Sequence, residues 1–240
     1  MRKPALAVLA VVLLAACRSA PPPAVNALPA DCTAVAAIDV AQLRATPVYA
    51  QLPPALRALT DPLAQARELA IGWNGKELLL VARGDFSEPP AGYTAIGKGI
   101  AAAGSPGRVE AARGRVDSGA GPALALPVST AEIRAVVRGD GGLPLTGNLA
   151  NILNLLSGAQ STTLTAHVEN AVEIDISAQC GSIEGARQLE QSARGALTLA
   201  TGTVRDPEAV ALLRKVRLGR ESLMVRLQAM APVDLLAKLY

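Results

Sequence analysis

Two parts of this chain alternate apolar and polar residues over paired runs, a pattern typical of antiparallel β-hairpins. In the first, residues 69–73 and 78–82 flank an Asn74-Gly75 pair, which favours a tight type I′ turn. The second comprises residues 163–169 and 172–179. Two hairpins of this kind predict an antiparallel sheet, buried on at least one face.

The second hairpin also predicts its own register. Apolar residues share one face of each run, and facing partners must lie on the same side of a sheet. The predicted pairs are Leu164 with Ile176, Ala166 with Ile174, and Val168 with Val172.

The opposite face of this hairpin is polar. It carries Thr165, His167, Glu173 and Asp175. Our interpretation is a solvated strand face with weak cross-strand pairs. The alternative is a loose metal site, but zinc and iron sites usually contain more than one histidine or cysteine.

The remaining patterns predict helices between further strands, so the expected fold class is α+β, with antiparallel hairpins packed against helices. Helices are predicted at 41–59, 91–103, 130–137, 148–156, 183–200, 206–215 and 233–239. Further strands are predicted at 33–40, 108–112, 123–128, 216–218 and 222–229. The order helix, hairpin, helix, strand pair, helix occurs twice, which suggests an internal duplication with pseudo-repeats 31–139 and 140–240.

The composition limits the function. Apolar residues make up 50% of the 240 positions and charged residues 18%, as in a globular chain. Aromatic residues are 2%, which is too few to form platforms for sugars or nucleic-acid bases. The formal net charge of +3 includes Arg2 and Lys3 near the start. We therefore expect no nucleic-acid partner.

The amino terminus has the layout of a secretory signal. Arg2 and Lys3 precede an apolar run from Ala5 to Ala16. This run is shorter than the ~20 residues that span a bilayer. Residues 1–16 are therefore predicted to be a signal peptide, and residues 31–240 an exported α+β domain.

Leu14-Ala15-Ala16-Cys17 resembles the lipobox of bacterial lipoproteins. The resemblance implies cleavage before Cys17, and lipidation of this residue by a diacylglycerol and an amide-linked acyl chain such as palmitate. Residues 17–30 would then be a lipidated, proline-rich tether. In enteric-type lipoproteins an aspartate after the cysteine favours inner-membrane retention, so Arg18 at this position implies the outer membrane, with the domain facing the periplasm.

Two other cysteines, Cys32 and Cys180, would share an oxidising compartment. A disulfide between them is the favoured prediction, and two separate buried thiols are the alternative. No Cys-x-x-Cys motif is present, which argues against a thioredoxin-like role.

Motifs for catalysis are weak. His167 is the only histidine, and no Gly-x-Ser-x-Gly sequence accompanies it. Residues 92–99 nearly match a phosphate-binding loop, but Gly99 replaces the Ser or Thr that holds magnesium. We interpret this segment as part of a glycine-containing helix. We expect no enzyme activity, no catalytic residue, no metal and no cofactor.

The sequence therefore predicts a membrane-anchored lipoprotein with a non-enzymatic binding or structural domain in the cell envelope, and a protein of the envelope as its partner. The alternatives are a carrier of an apolar ligand or lipid and an envelope hydrolase. The segment Ala-Ile-Asp-Val-Ala-Gln-Leu-Arg, residues 37–44, resembles the opening of a loosely defined family of secreted α+β repeat domains. That resemblance implies a fold and no activity.

Overall fold

The computed structural model describes residues 23–51, 63–139 and 158–232. The ten strands are β1 (Ala34–Asp39), β2 (Ala66–Trp73), β3 (Leu78–Gly84), β4 (Thr94–Gly97), β5 (Ile100–Gly104), β6 (Ile133–Arg138), β7 (Ser161–Val168), β8 (Ala171–Gln179), β9 (Arg217–Glu221) and β10 (Met224–Pro232). The helices are α1 (Val40–Ala45), α2 (Pro106–Asp117), α3 (Ile183–Thr203) and α4 (Pro207–Lys215), with 3₁₀ turns at Ala24–Ala27 and Tyr49–Gln51. The predicted α+β class is confirmed.

All ten strands form one antiparallel sheet in the order β4-β5-β3-β2-β1-β6-β7-β8-β10-β9. Strands β1 and β6 meet at its centre, where Ala36 lies opposite Ala135. Outward from this seam, each half has the same order: one strand (β1 or β6), then a hairpin (β2–β3 or β7–β8), then a second hairpin (β4–β5 or β9–β10). In the second hairpin the later strand, β5 or β10, lies nearer the centre of the sheet. The predicted duplication stays a prediction. The shared order supports it, but places β6 in the second unit rather than in the predicted first pseudo-repeat, 31–139.

The two faces of the sheet differ. Face 1, which we define by Val35, Ala70 and Val81, is covered in the first half of the sheet by the turn Ala24–Ala27 and by α2. Together they bury the largest apolar cluster of the described residues. This buried area supplies the main hydrophobic stabilisation of that half.

Face 2 carries Ile38, Leu69 and Ala82 in the first half of the sheet. Leu43 of α1 and Val48 pack on the same face over β7 and β8. Helix α3 covers its far end through Ala186 and Leu189. The apolar residues of the second hairpin therefore lie under helices, as their alternation predicts.

The register predicted for the second hairpin is confirmed. Val168 pairs with Val172, and Leu164 pairs with Ile176. The strand 33–40, the helices 183–200 and 206–215, and the pairing of 216–218 with 222–229 correspond to β1, α3, α4 and the β9–β10 hairpin. Periodicity sufficed for α3 and β10 because each buries apolar residues on one side and exposes its other side.

The first hairpin exists, but its turn differs from the prediction. Trp73 pairs with Leu78, so four residues connect the strands rather than two. The Asn74 side-chain oxygen accepts hydrogen bonds from the backbone N–H groups of Lys76 and Glu77. This Asx-type arrangement gives two backbone N–H groups of the loop an acceptor without placing Asn74 at positive φ.

The helix predicted at 91–103 was wrong. This segment forms the β4–β5 hairpin, with Gly99 at φ +68° in its turn. Ala101 and Ala102 are fully buried between neighbouring strands, and this burial outweighs the helix propensity of alanine. The near match to a phosphate-binding loop therefore lies in β4 and the loops on either side of it, not in a helix.

Three further assignments between residues 108 and 137 were wrong. Residues 108–112 lie in α2, which begins at Pro106, a favoured first helical position. Residues 123–128 form no strand. Residues 133–138 form β6 instead of a helix, because they fill the centre of the sheet between β1 and β7. The helices predicted at 148–156 and 233–239 lie outside the described residues, and that at 41–59 lies partly outside them and is otherwise reduced to α1 and one 3₁₀ turn.

Candidate functional site: a polar basin

A polar basin of about 960 Å³ lies on face 1 in the second half of the sheet. Strands β7, β8 and β10 form its floor, because most of their polar residues point to this side. The residues lining it are Pro127, Val128, Ser129, Thr163, Thr165, His167, Glu173, Ile174, Asp175, Ser177, Arg214, Lys215, Val216, Arg217, Arg226, Gln228, Ala229 and Met230.

All four residues of the predicted polar face lie in this basin. Thr165 pairs with Asp175 and His167 with Glu173, as the register predicts. Within the described ranges, however, no three His, Cys, Asp or Glu side chains come together in a geometry that could hold a metal ion. The four residues share a surface rather than a coordination centre.

Asp175 is the most extensively bonded group of the basin. Its carboxylate accepts hydrogen bonds from Arg226 Nε at 2.8 Å and from Gln228 Nε2 at 2.8 Å, with the Ser177 hydroxyl at 3.4 Å. Burial alone would raise the pKa of Asp175, but these bonds and the Arg226 charge lower it. A carboxylate held ionised in this way is a poor proton donor near neutral pH.

His167 has its nearest carboxylate in Glu132 rather than in Glu173. Its Nδ1 lies 3.8 Å from Glu132 Oε2, and its side chain is 42% exposed. The same Glu132 oxygen accepts the backbone N–H of Val168 at 2.9 Å. Glu132 is 9% exposed, so its main contact is with the backbone at the end of β7, and its approach to His167 is secondary.

Sequence reasoning missed most of the basin. Arg226 and Gln228 reach Asp175 from β10, 51 and 53 residues away along the chain. Arg226 and Gln228 are two residues apart within the strand predicted at 222–229, which indicates a shared face. The sequence did not indicate that this strand pairs with β8. The basic run from Arg214 to Arg220 was equally visible.

A second cluster, also missed, lies at the other end of face 1. Both carboxylate oxygens of Asp31 lie 2.6 Å from Arg108 Nη1, and Arg108 Nη2 lies 3.2 Å from Cys32 Sγ. The hydrogen bond from Arg108 lowers the pKa of Asp31. Burial raises the pKa of Cys32, despite the Arg108 charge beside it. This cluster fixes the chain before β1 against α2.

Cys32 and Cys180 are both buried and are not bonded to each other in this structure. They lie in different hydrophobic clusters, at the ends of β1 and β8. These strands are three positions apart in the sheet, or about 14 Å at the usual strand spacing. A disulfide requires Cα atoms within about 7 Å. The structure therefore has the two separate thiols of the alternative, not the favoured disulfide.

The comparisons with known proteins support the fold alone. No family model matches the chain, and no curated protein matches it. Among solved structures, crystal form III of TP0453 is similar, with a TM-score of 0.57, 11% identity, and coverage of 92% of this chain and 98% of that chain. Crystal form I of TP0453 gives a TM-score of 0.52 at 12% identity, with 92% and 97% covered. At such identities the likeness concerns the α+β architecture only.

No helix in the described ranges has both the length and the hydropathy that crossing a bilayer requires.

Proposed function

We propose that this chain is a bacterial lipoprotein anchored through Cys17, and that its α+β domain binds a protein of the cell envelope without catalysing a reaction. The anchor is supported by the lipobox-like sequence before Cys17. The proposed location is the outer membrane, facing the periplasm. Acylation with more than one chain would make attachment to the bilayer stable.

The observation that carries the binding proposal is the polar basin. Its floor consists of strands in a single sheet, so its shape is held by backbone ladders on both sides. Met230 and Val128 are large apolar residues exposed on its lining. Exposed apolar groups beside a hydrogen-bonding floor are a combination found in protein interfaces.

The state of Asp175 favours binding over catalysis. General acid–base groups have pKa values near the working pH, whereas the pKa of Asp175 is lowered by its bonds to Arg226 and Gln228. An ionised, hydrogen-bonded carboxylate positions Arg226 and Gln228 within the basin. It thus serves to shape a recognition surface.

Site-specific photo-cross-linking in the native envelope tests this proposal. A photoreactive residue at Met230, which is 54% exposed, should give a discrete adduct with an envelope protein. The matched control is Leu78, which is 47% exposed in the other half of the sheet. Mass spectrometry of the amino terminus tests the anchor. Identical adducts from both positions, or an unmodified Cys17, would contradict the proposal.

A second candidate function, carriage of an apolar ligand, is favoured by another observation. An open cavity of about 590 Å³ lies between α3, α4 and β9, and its apolar lining includes Leu197, Leu213, Val216 and Leu218. Extraction of the purified protein with organic solvent, followed by mass spectrometry, should then release a lipid in stoichiometric amount. If no such ligand is released, binding of an envelope protein remains the better-supported function.

A further inference from the structure

We propose that the basin recognises a carboxylate-rich segment of its protein partner, and that Arg214, Lys215 and Arg217 determine this specificity. These three residues are called the cationic rim below. The inference rests on the proposed function, since it names the chemistry of the partner that the basin binds.

The fold brings the cationic rim together on one side of the basin. Arg214 and Lys215 are in the last turn of α4, and Arg217 begins β9 only two residues later. All three are exposed and line the basin. Arg217 also lies directly across from Gln228 of the floor. Rim and floor are therefore parts of one continuous surface.

The charged groups of the cationic rim have no partners within the described part of the chain. None of the three forms an ion pair or side-chain hydrogen bond with another residue of the described part of the chain. Many of the other arginines do pair with carboxylates, namely Arg67, Arg83, Arg108, Arg113, Arg187, Arg194, Arg220 and Arg226. The rim thus offers cationic hydrogen-bond donors to an outside partner.

The acidic residues of the basin do not cancel this charge. Asp175 is already paired with Arg226, so the pair is close to neutral as a unit. Glu173 is the one other carboxylate on the lining. Its single negative charge is smaller than the three positive charges of the cationic rim. The net positive potential favours an anionic occupant and discourages a cationic one.

The floor indicates what kind of anionic occupant fits. Thr163, Thr165 and Ser177 present hydroxyl groups along β7 and β8, and these can bond to the amides of an extended chain. The basin is concave, and its volume of about 960 Å³ is at the upper end for ligand sites. A planar lipid surface would meet the rim but not the floor. An acidic protein segment can reach both.

Fluorescence anisotropy with a defined probe tests this inference. The probe is a fluorescein-labelled octaglutamate peptide, titrated with the full lipoprotein in a neutral detergent. Octaglutamine and octalysine peptides serve as controls. We expect saturable binding of the glutamate peptide alone, weakening between 50 and 300 mM NaCl because exposed ion pairs are screened by salt.

Two triple variants locate the binding. Arg214→Gln with Lys215→Gln and Arg217→Gln should weaken the glutamate peptide about tenfold, as expected for the loss of several exposed charge contacts. The charge-matched control replaces Arg67, Lys76 and Lys98, exposed cations of the first half, and should change the affinity less than about twofold. The single variant Arg217→Gln, with circular dichroism of each protein, separates loss of binding from loss of fold.

Three outcomes would overturn the inference. These are equal binding of the glutamate and glutamine peptides, equal losses in both triple variants, or rim-dependent binding of glycerophosphoglycerol without binding of the peptide. The last would identify a lipid headgroup as the ligand. A specific cross-link from Met230 combined with failure of the glutamate peptide would retain the proposed function and reject only the acidic partner.

Discussion

Gly72 shows how closely the first half of the sheet is packed. A Cβ atom at this position would lie 2.9 Å from Cys32 Sγ and 3.0 Å from Leu28 Cδ2, and both neighbours are buried. We expect Gly72→Ala to lower the free energy of unfolding by about 1–3 kcal/mol, as overpacking in a core does. Urea denaturation measures this loss. In a Cys32→Ala background the loss should be smaller, and an unchanged loss would contradict the clash.

His167 and Glu132 should respond differently to substitution. His167→Ala is expected to change the free energy of unfolding by no more than about 0.5 kcal/mol, as for an ordinary surface position. Glu132→Ala should cost about 1–3 kcal/mol, because it leaves the buried Val168 N–H without its acceptor. Thermal denaturation of both variants makes the comparison. Equal losses would contradict the surface role of His167, and loss of an activity in His167→Ala alone would favour the hydrolase alternative.

The pH dependence of stability can be assigned to single carboxylates. Burial alone would raise the pKa of Glu68, but its bonds from Arg83 and from the Ala24 N–H lower it. A lowered folded-state pKa means that the stabilisation exists above the unfolded pKa and disappears as pH falls through the folded value. Glu68→Gln should therefore lose stability at pH 7, by about 1–2 kcal/mol, and match the parent protein in strong acid. Urea titrations across this range test it.

Individual residues of the basin and of the Asp31–Arg108 cluster divide into those that sequence could predict and those it could not. His167 and Asp175 follow from the period-two pattern of one hairpin, whose partners are local. Arg226 and Arg108 depend on contacts across fifty or more residues, with Asp175 and Asp31. Such contacts are set by strand order and by the placement of α2, neither of which leaves a periodic signal.

At the scale of elements, α3 and α4 differ in how their caps couple to the core. Asp206 caps α4 by accepting the N–H groups of Glu208 and Ala209, and no residue of α4 is buried. Asp206→Ala should destabilise α4 by about 1 kcal/mol. Hydrogen exchange should therefore accelerate in residues 207–215, with little change in global unfolding.

Ser182→Ala is the matched comparison. Ser182 caps α3 through the Gly185 N–H, and α3 buries Ala186 and Leu189 in the core. The loss of this cap should appear in the global free energy of unfolding. A global loss for Asp206→Ala as large as that for Ser182→Ala would show that α4 is more tightly coupled to the sheet than its exposure indicates.

The type and bounds of an element were predictable where one of its faces is buried and the other is exposed to solvent. The β7–β8 hairpin and α3 are of this kind, and the register of the hairpin was correct to the residue. Ala101, Ala102 and the residues of β6 lie within the sheet, between paired strands. Short apolar runs in such places have no clear period, so strand and helix could not be distinguished.

At the scale of the molecule, the halves are joined by more than one kind of contact. Strands β1 and β6 pair along five residues at the centre of the sheet. Leu43 and Val48, from the first half, share a buried cluster with Ala166 and Val168 from the second. A backbone ladder and a common core both predict that the halves stabilise each other.

We therefore expect one cooperative unfolding transition. Trp73, the only tryptophan, reports on the first half through its fluorescence. In a Cys32→Ala variant with Cys17 acylated, Cys180 is the only thiol, and it reports on the second half because it is buried in the folded state. The urea midpoints for Trp73 fluorescence and Cys180 labelling should coincide, as in two-state unfolding. Two separate midpoints would show instead that each five-stranded half is an independent unit, joined but not stabilised at the β1–β6 seam.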